Sequence, residues 1–436
     1  MIKVYFKQAW EMMKQHKLFT SIYVVGTGLS IALIMTLFII FYVKFTPIYP
    51  EYNRDRILVI KSVKRVAKKN SFNWSLNHGT TYYMVNELLK DLPHLEACAA
   101  VFSGTSWADD GDMITLPDQR NLLVKAKYVN GDFWRVFTFQ FLEGVPFTVE
   151  ETEAKEQLAV ISQSLSQKLF ATTSSVGEKI LFNGQAFRVC GVVKDVSNAT
   201  PESAAEIWVP ITNNVGVMES YTRDDVSGEV HAFLLAPTSA DKKKLREEVL
   251  DVINKYNQQN QVYEHEFFGQ PDEYWFSTFR TGMDVTLTVW GVLKQYIYML
   301  LAFLIIPALN LSGMISSRME DRLSELGVRK AYGANNGQLI IQVLWENLLL
   351  TGLGGVLGLL FSYLIVFTAS NWILTLFDDF IWTPGERVDL TFEMLFNPMI
   401  FIASLLFCVL LNLVSSLIPT VWALRNPIIQ SIHTKR

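Results

Sequence analysis

Four long apolar runs in one chain, a lone one at residues 18–43 and three crowded into 285–312, 339–369 and 397–424, leave few folds open. Each is long enough to cross a hydrocarbon core of roughly 30 Å as a helix. The first has no small-residue cleavage site after it and reads as an uncleaved signal anchor. Basic residues gather at the N-terminus, between 314 and 338, and at Arg425, Lys435 and Arg436, whereas the 370–396 loop carries Asp378, Asp379, Glu386, Asp389 and Glu393. The bias of Lys and Arg toward the cytoplasm therefore predicts both termini inside and residues 44–284 outside. The expected fold class is a membrane protein of four transmembrane α-helices, arranged one plus three, with a large extracytoplasmic α+β domain inserted between helices 1 and 2.

Ahead of the first run, Ile2, Tyr5, Phe6, Ala9, Trp10 and Met13 recur at helical spacing with Lys3, Lys7, Lys14 and Lys17 between them. Residues 1–17 are thus expected as an amphipathic elbow helix lying on membrane lipid at the cytoplasmic face, and 425–436 as a cytoplasmic tail.

In the insert, strand patterns fall at 57–63, 122–129, 158–161, 179–181, 187–193, 207–210 and 232–235, with helices expected at 82–90, 164–170 and 241–256. Asn183-Gly184 between two apolar stretches predicts a hairpin, since both central positions of such a turn tolerate positive φ.

Several chemistries are not supported by the sequence. A net charge of -4 and the lack of a clustered Lys/Arg surface argue against nucleic acid as a partner. The chain contains no GxxxxGK[ST] phosphate loop, no HExxH and no GxSxG elbow, so no catalytic or metal-binding residues are expected. Cys98, Cys190 and Cys408 form no CxxC pair, and Cys98 and Cys190 read as small buried hydrophobes in preference to a disulfide. Glu264-His265-Glu266 on an alternating strand puts the glutamates on one face and the histidine on the other, a solvated strand face rather than a metal site. Asp195 is expected to cap a turn.

The charged segment at 313–338 is the most unusual part of the chain. Met319, Leu323 and Leu326 share one helical face while Arg318, Asp321, Arg322, Glu325 and Arg329 share a neighbouring one. Glu325 precedes Arg329 by four residues, the favourable orientation for an ion pair, and Gly333 is placed to stop the helix in the left-handed region. Residues alone allow either an anchor for the following span or a surface offered to a soluble partner. Gly354 and Gly358 form GxxxG in the third span, and Gly26 and Ser30 a small-xxx-small pair in the first, so close helix packing is expected at both.

Glu325-Leu-Gly-Val-Arg-Lys-Ala-Tyr-Gly-Ala334, followed by Gln342, Glu346 and the glycines at 352–358, resembles the signature of FtsX-like ABC transporter permeases. Tyr332 stands where that family has leucine or isoleucine. In the insert, Val129-Asn-Gly-Asp-Phe-Trp134, Phe141-Leu-Glu-Gly144, Leu158-Ala-Val-Ile-Ser162, Gly177-Glu-Lys-Ile180, Val189-Cys-Gly-Val192 and Ile207-Trp-Val-Pro210 fall in the order of a MacB-like periplasmic core domain, with residues 211–275 as a divergent lobe. The resemblance implies a permease of the bacterial inner membrane that binds no cofactor itself. ATP would be bound by a partner ABC ATPase subunit contacting Glu325, Gly327, Arg329, Lys330, Gly333 and Ala334. It further implies a second permease copy or paralogue, and leaves room for a periplasmic adaptor. The role implied is mechanotransmission for export of a peptide, antibiotic or lipid-like substrate; alternatives are a non-transporting regulator of a cell-wall hydrolase, or a lipoprotein-release permease.

Overall fold

The computed structural model describes residues 17–68, 79–104, 111–172, 174–280, 286–294 and 332–375, with further residues at 14, 297–298, 301, 328–329, 398–399, 401–407, 409–410 and 413. The expected elbow helix, most of the second and fourth spans, most of the 370–396 loop and the tail fall outside them. Two compact units are present, one holding the described residues of Val43–Thr288 and Leu374–Asp389 and the other those up to Tyr42, of Val289–Ile373 and from Leu390 onward.

In the outer unit, twelve strands build one mixed sheet. They are β1 (Ile57–Ile60), β2 (Ala97–Ser103), β3 (Met113–Thr115), β4 (Asn121–Leu123), β5 (Ala126–Val129), β6 (Phe141–Gly144), β7 (Leu158–Ser162), β8 (Lys179–Phe182), β9 (Gln185–Val193), β10 (Ile207–Pro210), β11 (His231–Leu235) and β12 (Asp272–Glu273). Their spatial order is β12-β1-β11-β2-β5-β10-β7-β9-β8-β3-β4, with β6 also on β9. The β5–β10 and β7–β9 pairs are parallel, which requires crossover chain between them and fits the interleaved helices.

Period-two alternation sends successive side chains to opposite faces, and here both faces are covered. Leu58, Ile60, Cys98, Ala100, Leu234 and Val209 join a core closed by helices; Ile57, Val59, Ala99, Phe233 and Trp208 join a second core rich in aromatic rings. Helix α3 (Lys242–Gln259) closes the first core with Leu245, Val249 and Ile253 at four-residue spacing. Each such side chain contributes roughly 1.5–3 kcal/mol on burial. Helix α2 (Gln163–Phe170) is started by two caps, Ser162 accepting from the Leu165 amide and Asp195 accepting from both the amide (2.8 Å) and hydroxyl (2.7 Å) of Ser164. Asp195 therefore caps a helix start thirty-one positions earlier in the chain.

Asn183 and Gly184 carry φ of 46° and 75° between the paired residues Phe182 and Gln185, the two left-handed positions a tight hairpin requires. The fragment from Val129 to Trp134 fastens its neighbours: Asn130 bridges the Cys98 carbonyl (2.8 Å) and the Ala100 amide (2.9 Å), and a Cβ at Gly131 would lie 2.3 Å from the Val149 amide nitrogen.

Residues 211–275 do not form a separate lobe, contrary to the sequence expectation. Their strand β11 lies in the middle of the sheet between β1 and β2, because Ala232-Phe-Leu-Leu235 is apolar on both faces. His265 is buried while Glu264 and Glu266 are exposed, and its Nε2 pairs with Asp225 at 2.9 Å. Among the described residues no group of three His, Cys, Asp or Glu side chains is placed to hold a metal.

The other unit is dominated by helix α1 (Lys17–Phe45) up to Tyr42 and by helix α4 (Asn336–Thr375) up to Ile373. Thr20–Phe45, with mean hydropathy 2.5, and Gly337–Thr368, with mean hydropathy 2.1, are long and apolar enough to span a bilayer. Residues 289–294 and 401–407 are also helical. α4 starts three residues before the expected span because Asn335 caps it: Asn335 Oδ1 accepts from the Gly337 amide and Gln338 Oε1 accepts from the Asn335 amide, both at 3.3 Å; it continues to Thr375, past the expected end.

Candidate coupling segment and the joint of the outer domain

The chain turns sharply just before α4. Gly333 is left-handed at φ 90°, and the Ala334 amide donates to the Arg329 carbonyl at 3.1 Å while that of Tyr332 donates to Val328. This is a Schellman stop, in which glycine at the left-handed position lets the next amide satisfy an orphaned carbonyl of the last turn. Tyr332 is 89% exposed and Val328 47%, beside an open cleft of about 450 Å³ bordered by Arg329, Gly333 and Gln338. Arg329 Nη1 donates to Gln342 Oε1 at 2.6 Å, tying the turn to the first turns of α4. Arg329, Gly333 and Ala334 are thus brought together; Glu325, Gly327 and Lys330 lie outside the described residues.

Ala334, Leu339, Val343 and Leu350 pack with Tyr23 and Val24 of α1. Higher up, a Cβ at Gly354 would lie 2.9 Å from Thr27 Cγ2, and one at Gly28 would lie 3.2 Å from the Gly354 carbonyl oxygen. Gly354 and Gly358 therefore sit against Thr27, Gly28 and Ile31. Gly28 is a first-span glycine at this contact. Ser30 donates to the Gly26 carbonyl of its own helix at 3.0 Å.

A second constellation, not legible from spacing, lies inside the outer unit. Arg54 is 5% exposed and Glu51 0%. Arg54 Nε donates to Glu51 Oε2 at 2.9 Å, and its Nη1 donates to the carbonyls of Val43 (2.7 Å), Thr46 (2.9 Å) and Lys44 (3.3 Å). Those carbonyls belong to the last turn of α1 and the residue just beyond, where a helix leaves acceptors without intrahelical partners. Glu51 also accepts from Ser203 Oγ at 2.7 Å and from the Tyr274 hydroxyl. Burial and then the neighbouring Glu51 charge push the Tyr274 phenol well above its ordinary value, so it stays a donor.

Beside this group Glu202 pairs with Lys61, and Lys127 donates to Ser103 Oγ at 2.9 Å. Burial alone would raise Glu202, but Lys61, His231 and Lys127 outweigh it and hold the carboxyl below its usual range. Burial lowers Lys127 to about 8, with Glu202 and Glu51 opposing the shift.

Residues 20–252 match the family model of the MacB-like periplasmic core domain, and residues 297–428 that of the FtsX-like permease C-terminal domain. The uncharacterized ABC transporter permease YknZ of Bacillus subtilis (strain 168) is 24% identical over 236 residues, 54% of this chain and 55% of that protein. The macrolide export ATP-binding/permease protein MacB of Chromobacterium violaceum is 23% identical over 310 residues, 63% of this chain and 45% of that protein. The match thus spans about half the length of these curated relatives. The extracellular domain of the noncanonic ABC-type transporter YknZ from Gram-positive bacteria overlays at a TM-score of 0.33 and 18% identity, covering 48% of this chain and 99% of that one. More than half of the chain matches the first family model and a separate C-terminal stretch the second: the chain belongs to the FtsX-like permeases that carry a MacB-like periplasmic core domain.

Proposed function

We propose that this chain is the permease subunit of an ABC-type complex in the bacterial inner membrane, with both termini cytoplasmic. It takes its energy from ATP bound by a separate ATPase and works beside a second copy or paralogue. The observation that carries this reading is the turn at Arg329–Gly333: it presents Tyr332 outward and feeds directly into α4, whose first turns pack on Tyr23. A push on that turn bears on two apolar helices at once. Closure of the ATPase pair displaces the segment around Glu325–Arg329, and the spans pass the movement to the outer domain, which acts on a peptide, antibiotic or lipid-like substrate outside the membrane.

Charge reversal tests the assignment. Glu325→Lys and Arg329→Glu are expected to lower ATPase stimulation at least about tenfold, within the usual size of an allosteric coupling, while the protein still inserts in the membrane. Full stimulation in both variants would sink it. Affinity capture from gently solubilised membranes separates the roles: an ATPase with a periplasmic adaptor supports export, and an ATPase with a wall hydrolase supports the regulatory reading.

A further inference from the structure

Helix α1 does not end freely. Between its last residue, Phe45, and Glu51 the chain passes through Thr46-Pro-Ile-Tyr-Pro50, a short link without regular secondary structure. A swivel would be expected there. Instead one buried guanidinium, Arg54, closes the last turn of the helix on three carbonyls and is held in place by Glu51. The same carboxylate accepts from Tyr274, which stands just after β12 on the chain returning toward residue 286. Phe45 also packs on Phe279 with ring centroids 5.5 Å apart, and Arg280 pairs with Asp272 at 2.7 Å, both side chains at most 4% exposed. The outgoing and returning strands of chain are therefore fastened to each other at one buried point.

A buried ion pair is a poor choice for stability alone, since apolar residues of similar volume often do as well or better. What an apolar residue cannot do is donate directionally to several carbonyls and so fix the direction in which a helix leaves a domain. We propose that Arg54, positioned by Glu51 and Tyr274, is a rigid joint that makes the last turn of α1 move as part of the outer sheet, so that displacement of the helix is delivered to the domain and not absorbed at residues 46–50. The joint itself stands on the contacts above; its role in transmission rests on the proposed ATP-driven reading.

The test is hydrogen exchange followed by mass spectrometry on the full chain in nanodiscs with its co-purified ATPase, with and without ATP and vanadate. The paired variant Glu51→Gln/Arg54→Met leaves no lone buried charge, and Arg54→Lys keeps the charge but lacks the forked donors. Without nucleotide, both variants are expected to exchange amides of residues 43–50 at least about tenfold faster, with the sheet still protected. With nucleotide, the change in the outer domain is expected to fall at least about threefold while ATP hydrolysis persists. Unchanged exchange at 43–50 in Arg54→Lys overturns the joint even if the paired variant does not fold. Loosened amides with an undiminished nucleotide response overturn its role in transmission. Loosened amides with no nucleotide response in the unmodified protein leave the joint standing and overturn the ATP-driven reading.

Discussion

Gly358 lies against Gly28 so closely that a Cβ at Gly358 would come 2.9 Å from the Gly28 carbonyl oxygen and 2.7 Å from Ile31 Cγ2. One obstacle is backbone and cannot rotate away, so Gly358→Val must separate the helices. A cost on the order of 1–3 kcal/mol is expected for such overpacking, read as a lower melting temperature in detergent. Gly352→Ala is the control, because nothing lies within 4 Å of its Cβ. Equal melting of Gly358→Val and the unmodified protein would remove this contact from the account.

Lys127 gives a pH signature. Its ordinary pKa of 10.5 falls to about 8 in the fold. Between those values the unfolded chain holds a proton that the folded one has released, so stability rises with pH across the window. Below about pH 8 the whole penalty, about 3 kcal/mol, is present. Lys127→Met is therefore expected to raise the unfolding temperature of the full chain at pH 7, with the gain shrinking toward pH 10.5. A gain that stays constant with pH would reject burial of the charge as its cause.

Cys98 on β2 and Cys190 on β9 are separated by β5, β10 and β7, so four strand spacings, about 19 Å, divide them. That is far beyond the reach of a disulfide. Burial raises both thiols, Cys190 to about 12, and Cys190 Sγ donates to the Ala159 carbonyl at 3.4 Å. Neither should be alkylated by iodoacetamide at pH 8 until denaturant is added; mass spectrometry of the native protein showing rapid labelling of either would contradict the packing.

Gly144 at φ 70° faces the Cys190 carbonyl oxygen, 2.1 Å from where its Cβ would stand. Gly144→Ala combines a left-handed strain with a backbone clash. It is expected to detach β6 from β9, seen as faster amide exchange at 141–145, while the far edge at β12 and β1 stays protected.

The strand patterns of the sequence omit β3, β6, β12 and, most centrally placed, β2, Ala-Cys-Ala-Ala-Val-Phe-Ser. Three alanines and a cysteine carry little β propensity, yet they lie inside the sheet between β11 and β5 and are buried from Ala97 to Val101. Helix ends were set by caps that pattern does not reveal, such as Asp195 reaching back to Ser164. The Schellman turn at Gly333 was readable because glycine past a helical pattern is a local signal. The Glu51, Arg54, Ser203 and Tyr274 group was not, since its members stand up to 223 positions apart and each alone looks like an ordinary surface residue.

Amino-acid order by itself determined the apolar runs, their length, the charge asymmetry around them and the hairpin at Asn183-Gly184, because these depend on hydrophobicity and local backbone preference. Tertiary structure alone decided that 211–275 is woven into the sheet, that Gly28 meets Gly354 and Gly358, and that Arg54 closes the end of α1. Those outcomes turn on which distant surfaces exclude water together, and a buried charge can find its partners only after the chain has folded around it.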